Sequence, residues 1–194
     1  HVRSIERAIR RARAGGEIVV VGHSMGAMIA TRLTAKNPKL IKRAILYQVP
    51  VFEDLSRFGA RKKQYNPPLR LLKYFAKNQE AALRAARTLE FIGRSAIQFS
   101  LDHGNWFAFE RSVQNTILKQ SVIADIQKIV CPVDIIFGSL DPLVEQRRVM
   151  QVLENKDNIT FHHLRETHRI SRKFAVFLAG LLATDKTTST AKML

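Results

Sequence analysis

Apolar residues Val2, Ile5, Ile9 and Ala12 recur at three- and four-residue spacing, with Arg3, Arg7, Arg10, Arg11 and Arg13 on the remaining faces. That pattern predicts an amphipathic helix over residues 2–12, ended by Gly15 and Gly16. Residues 18–21, Ile-Val-Val-Val, form a continuous apolar run of β-branched side chains, as expected of a strand buried on both faces of a parallel sheet. A second helix is predicted over 25–36, with Met25, Ile29 and Leu33 in register, stopping at Asn37-Pro38. Residues 43–51 repeat the strand signal.

The C-terminal third shows the same alternation: strand over 132–138, helix over 144–155, strand over 159–164 and helix over 170–183, the last with Phe174, Phe177, Leu178 and Leu181 in helical register. Residues 184–194 are polar and are expected to form a mobile tail. Alternating helices and strands imply an α/β fold, a mostly parallel sheet with helices on both faces joined by right-handed crossovers. Between the halves, over 52–125, strand signals give way to helical patterns at 69–77, 80–99 and 106–121. This stretch also holds most of the aromatic residues. The expected organisation is therefore a core of 1–51 and 126–183 interrupted by a helical insertion.

At 194 residues, 46% hydrophobic and 25% charged, the chain is one domain of ordinary globular composition, which excludes collagen-like, low-complexity and wholly disordered classes. The net charge of +16 favours loose association with polyanions. It is spread, however, at +8 for residues 1–51, +5 for 52–125 and +3 for 126–194, and no nucleic-acid motif is recognisable, so no specific nucleic-acid partner is expected. Cys131 is the single cysteine, which excludes an intramolecular disulfide and a cysteine-based metal site; no metal and no cofactor are expected. No apolar run reaches the ~18 residues of a transmembrane helix, and the first residues carry too many Arg for a signal peptide. A soluble, cytoplasmic protein is expected, although the chain opens with His1, which leaves room for an upstream start. No pattern speaks to its oligomeric state.

Gly22-His23-Ser24-Met25-Gly26 falls between a predicted strand and a predicted helix, the context a G-x-S-x-G nucleophile elbow requires. A serine on so sharp a turn is forced into an unfavourable backbone conformation, and Gly22 and Gly26 would be needed because bulk there would clash. The serine oxygen would stand at the helix N-terminus, where the Met25 N–H could stabilise a developing oxyanion. Tight packing alone would also explain the glycines.

A serine hydroxyl needs a general base, itself oriented by a carboxylate. Asp141 leaves the carboxyl end of the 132–138 strand, the edge on which Ser24 emerges, though it also suits capping of the following helix. His168 lies 27 residues further on, enough for a helix, a strand and a turn back to that edge, and is the preferred base. His162 and His163 fall inside a strand, one on each face, and suit surface or packing roles better. His23 is adjacent to Ser24 and cannot easily bring its ring against the serine oxygen. His103 fits a solvated loop, and Asp134 lies within its strand.

With the order Ser24, Asp141, His168 in hand, the chain resembles the α/β-hydrolase fold superfamily, specifically its capped serine hydrolases. The resemblance covers 1–51 and 126–183, while 52–125 is similar to the family's helical cap in position and character. It implies that Ser24 attacks, His168 carries the proton, Asp141 orients His168 and Met25 N–H supplies one oxyanion donor. It further implies hydrolysis of carboxylic esters, a small, apolar molecule as substrate and an acyl-enzyme intermediate. Members with an Asp nucleophile, such as haloalkane dehalogenases and epoxide hydrolases, are disfavoured by the serine. Two departures stand out. Thr167 takes the place of the Gly that usually precedes the histidine, and nothing matches the family's first strands with their second oxyanion donor, so the strand at 18–21 is expected to show an unpaired apolar edge.

The aromatic residues of the insertion suit its own core better than a pocket, with Trp106 and Phe107 the candidates to line one. A catalytically impaired relative, or a basic protein binding polyanions, is the competing class.

Overall fold

The computed structural model describes residues 1–12, 16–51, 67–91, 101–141, 144 and 146–190, without the side chains of 12, 67–69, 89–91 and 184–190. Its elements run α1 (Val2–Ala12), β1 (Ile18–His23), α2 (Met25–Lys36), β2 (Ile41–Tyr47), α3 (Pro67–Phe75), α4 (Gln79–Phe91), α5 (Trp106–Ser112), α6 (Val122–Gln127), β3 (Val133–Gly138), α7 (Gln146–Leu153), β4 (Ile159–Leu164) and α8 (Arg172–Thr190). The four strands form one parallel sheet in the order β1-β2-β3-β4. All four carboxyl ends therefore share one edge, from which the chain after β1, after β3 and after β4 leaves.

The inner strands carry apolar side chains on both faces. Ala44 and Leu46 of β2 and Val133, Ile135 and Phe137 of β3 pack under α2, α6 and α7, with Met28, Ile123, Ile126, Val149 and Leu153. Ile45, Tyr47 and Ile136 point the other way, under Phe174, Phe177, Leu178 and Leu181 of α8. Period-two alternation with both faces covered is what a continuous apolar run encodes. β1 departs from the expectation. Val19 is 37% and Val21 45% exposed, because the α8 cluster takes its strand residues from β2, β3 and β4 and leaves that face of β1 open.

Between β2 and β3, Ala82, Leu83 and Leu101 close a small separate core with Phe75, Trp106 and Phe109. The helix expected over 106–121 stops at Ser112 and passes into a π-helical turn, Val113–Ile117, where Leu118 N–H reaches back to Val113 O. The unpredicted α6 follows, anchored to α2 by an Arg32–Asp125 ion pair of 2.7 Å, while the buried Gln120 donates to Met28 O at 2.6 Å. Residues 92–99 of the helix expected over 80–99 lie outside the described residues. α8 runs on to Thr190, past the expected end at 183, so the stretch assigned to a tail is helical up to that residue, and 191–194 lie outside the description.

Candidate active site

Ser24 occupies the turn between β1 and α2 with φ 53° and ψ −124°, the left-handed region that a side chain ordinarily avoids. Two interactions hold it there. Its N–H donates to Tyr47 O at 3.0 Å, continuing the β1–β2 ladder, and its carbonyl accepts from Ala27 N–H at 2.9 Å, opening the helix. A Cβ on Gly22 would stand 2.6 Å from both Ala27 Cα and Gly26 O, so only glycine lets the strand pass so close to the helix. The same reasoning fails at Gly26, where a Cβ would meet nothing within 4 Å. The steric argument for paired glycines thus holds for Gly22 alone. Met25 begins α2, where backbone N–H groups have no acceptor within the helix.

The structure brings Ser24, His168 and Asp141 together. Ser24 Oγ lies 2.8 Å from His168 Nε2, and His168 Nδ1 lies 2.7 Å from Asp141 Oδ2. The aspartate side chain is fully buried and the histidine 3% exposed. With Nδ1–H donating to the carboxylate, Nε2 is the acceptor for the serine hydroxyl, the tautomer a general base needs. Asp141 and His168 reach the edge because β3 and β4 stay zipped beyond their ends. Ser139 N–H donates to Leu164 O at 2.8 Å, and Leu140 N–H to Glu166 O at 3.0 Å. Gly138 makes this possible, since a Cβ there would come within 2.6 Å of Glu166 O and collide with the Gln48 amide. Nothing about Gly138 drew notice in the sequence, where it reads as an ordinary strand-end glycine.

Two further residues at this edge escaped the sequence reading. Gln48, fully buried at φ 49°, donates through Nε2 to Tyr47 Oη at 2.9 Å and to Thr167 O. Tyr47 Oη–H in turn donates to Arg169 O at 3.0 Å. Burial, with the nearby Glu166 and Asp141 carboxylates, pushes the Tyr47 phenol up to about 12. Positive φ at a non-glycine and hydrogen bonds spanning more than a hundred residues leave no local signal. His23 is also placed differently from a bystander. Its Nε2–H donates to His168 O at 2.9 Å, and its ring lies 5.2 Å from those of Tyr47 and His168. Burial holds its pKa below the usual histidine value, against the raising effect of that hydrogen bond.

The remaining candidates fall elsewhere. Trp106 packs into the insertion's own core, 5.6 Å from Phe109, and Phe107 is 64% exposed with Arg111 across its face at 4.8 Å. Helical spacing sets Trp106 and Phe109 on the side of α5 that packs against Ala82 and Leu83 of α4. His162 binds Asp134, His163 is exposed against Phe137, and His103 is exposed near Gln79. Among the described residues no three His, Cys, Asp or Glu side chains gather as metal donors, and no helix is long and apolar enough to cross a membrane.

A parallel sheet clothed by helices, with a serine, a histidine and a buried aspartate linked at its carboxyl edge, defines the class as an α/β protein of the hydrolase kind. The chain belongs to the alpha/beta hydrolase fold family, whose model matches residues 1–171. Solved structures agree on the fold. A thioesterase domain from the curacin biosynthetic pathway is 18% identical with a TM-score of 0.61, covering 94% of this chain and 71% of its own. A carboxylesterase of the ammonia-oxidizing thaumarchaeon Nitrososphaera gargenis is 18% identical with a TM-score of 0.60 over 96% and 72%. An epoxide hydrolase of Bacillus megaterium is 16% identical with a TM-score of 0.59 over 94% and 73%. No curated protein matches the sequence.

Proposed function

We propose that the protein is a serine hydrolase that cleaves carboxylic esters of small apolar molecules through an acyl-enzyme. The observation that carries the reading is the continuous pair of hydrogen bonds from Ser24 through His168 to Asp141. Ser24 Oγ attacks the ester carbonyl carbon as its proton passes to His168 Nε2, and Asp141 holds the Nδ1–H of the resulting imidazolium. The carbonyl oxygen takes the negative charge facing the Met25 N–H, at the positive end of α2. Collapse expels the alcohol, which leaves with the proton from His168. Water, deprotonated by the same histidine, then attacks the acyl-serine, releasing the carboxylic acid and restoring Ser24.

We read residues 52–125 as a cap over this edge, and the apolar composition of that stretch supports an apolar acyl or alcohol group. The cytoplasm suits a chain with one free cysteine. The similarity to an epoxide hydrolase reaches the fold alone; a serine at the turn supports acyl transfer rather than epoxide opening.

Fluorophosphonate labelling mapped by mass spectrometry tests the proposal. Label on Ser24, lost in Ser24→Ala and severely reduced in His168→Ala, is the expected result. A folded protein left unmodified at Ser24 would overturn it in favour of an impaired relative.

A further inference from the structure

Three consecutive backbone carbonyls around the base are each held by a side chain from the other end of the chain. Thr167 O accepts from Gln48 Nε2, His168 O from His23 Nε2 at 2.9 Å, and Arg169 O from Tyr47 Oη at 3.0 Å. A loop held at three successive peptide units cannot pivot about its backbone, so the ring of His168 keeps the orientation its Nδ1 and Nε2 bonds require. The three donors are not equivalent. Tyr47 and Gln48 are fully buried at the end of β2, whereas His23 is half-buried and directly precedes Ser24 in the turn itself. His23 alone among the three joins the serine's own turn to the histidine's own carbonyl, spanning 145 residues of sequence.

We propose that His23 is a positioning residue for the reaction, which fixes the distance between Ser24 and His168 by tying the turn of one to the backbone of the other. This rests on the serine-hydrolase reading. Its donor is Nε2–H, so the neutral ring serves, and burial disfavours a charge on it that would oppose an imidazolium on His168. Groups that could influence it from the packed elements are Tyr47 at the end of β2, Asp141 after β3, and His168 after β4. Losing the tie leaves binding intact but lets serine and base drift apart, and a misplacement of about 1 Å costs on the order of a hundredfold in rate.

The test compares wild type, His23→Phe, which keeps a ring of similar size without a donor, and His23→Gln, which restores an N–H of similar reach. Two readouts are taken on the full chain. One is fluorophosphonate labelling, resolved into its maximal rate and its half-saturating concentration. The other is the downfield proton resonance of His168 Nδ1–H, which needs no reactivity. The expected result is a ten- to hundredfold fall in maximal rate for His23→Phe with half-saturation unchanged, a broadened or shifted resonance, and recovery to within about threefold in His23→Gln. An unchanged rate and resonance in folded His23→Phe overturns the proposal, as does a Gln variant no better than Phe. Should Phe fail to fold, Gln against wild type decides on the same two readouts, a rate loss beyond about tenfold counting against it. A wild type that shows the resonance but takes no label brings down the hydrolase reading instead, and the resonance in the variants still decides the positioning role.

Discussion

Strands β3 and β4 and the loops that leave them carry two Asp–His pairs with the same 2.7 Å separation and different surroundings. Asp134 and His162 meet partway along the strands, under α8. There Asp134 also binds Arg43 Nε at 2.7 Å, the same guanidinium donates to Leu181 O on α8, and Phe177 of that helix meets the His162 ring edge-on. Asp141 and His168 meet beyond the strand ends, and there the histidine's second nitrogen faces a hydroxyl. An aspartate between a guanidinium and an imidazole is an electrostatic clamp binding three strands and a helix. An aspartate on one side of an imidazole with a serine on the other is an arrangement for moving a proton. Position along the strands, not the chemistry of the pair, separates the two.

Neutralising each aspartate gives the largest test of that separation. Asp141→Asn should lower the rate of Ser24 labelling by about 10³- to 10⁴-fold, because the amide no longer stabilises the imidazolium or its working tautomer. Asp134→Asn should change that rate by no more than about twofold. Equal losses would erase the distinction.

Stability should divide the opposite way. Asp134→Ala leaves Arg43, only 13% exposed, without its carboxylate and costs about 3 kcal/mol or more, read from urea unfolding. The cost should shrink when Arg43 is replaced by Met in the same chain, since the stranded cation is then gone.

The difference between the pairs was readable in the sequence as far as strand periodicity reaches. Alternation in 159–164 assigned His162 and His163 to opposite faces, and loop position set Asp141 and His168 apart from Asp134. The continuous apolar run over 18–21 predicts burial on both faces but carries no information on how far α8 extends across the sheet, and Val19 and Val21 stay 37% and 45% exposed. Nor could local pattern show the hold on Thr167, His168 and Arg169, since Gln48, Tyr47 and His23 act across more than a hundred residues. The break of α5 into a π turn is likewise followed by Gln120 donating to Met28 O, a contact between residues 92 apart that local pattern does not show.

Two glycines sharpen the contrast between an edge built for close approach and one that only looks so. Gly138→Ala forces a Cβ against Glu166 O and the Gln48 amide, where the zipped loops of Asp141 and His168 must separate. It should cost about 1–3 kcal/mol and slow labelling, since both the acid and the base shift. Gly26→Ala adds a methyl to the first turn of α2 with nothing within 4 Å, and should be neutral or stabilising by up to about 1 kcal/mol. Thermal melts of the two variants decide it.

The smallest effect is a pH dependence confined to the reactive edge. Burial lowers the pKa of His23 in the folded chain below its ordinary 6.5. As pH falls below about 6.5 the unfolded chain therefore takes up a proton there that the folded chain refuses, and stability drops toward the folded value. The contribution is complete above that window and is lost through it on acidification, with a slope of at most one proton, about 1.4 kcal/mol per pH unit. Wild type should lose melting temperature between pH 7 and 5 more steeply than His23→Phe. Every other titrating group cancels in that difference because both chains carry it. Parallel curves would mean that the proton taken up by His23 costs the folded edge nothing, and that the ring is not buried against Tyr47 and His168 as described.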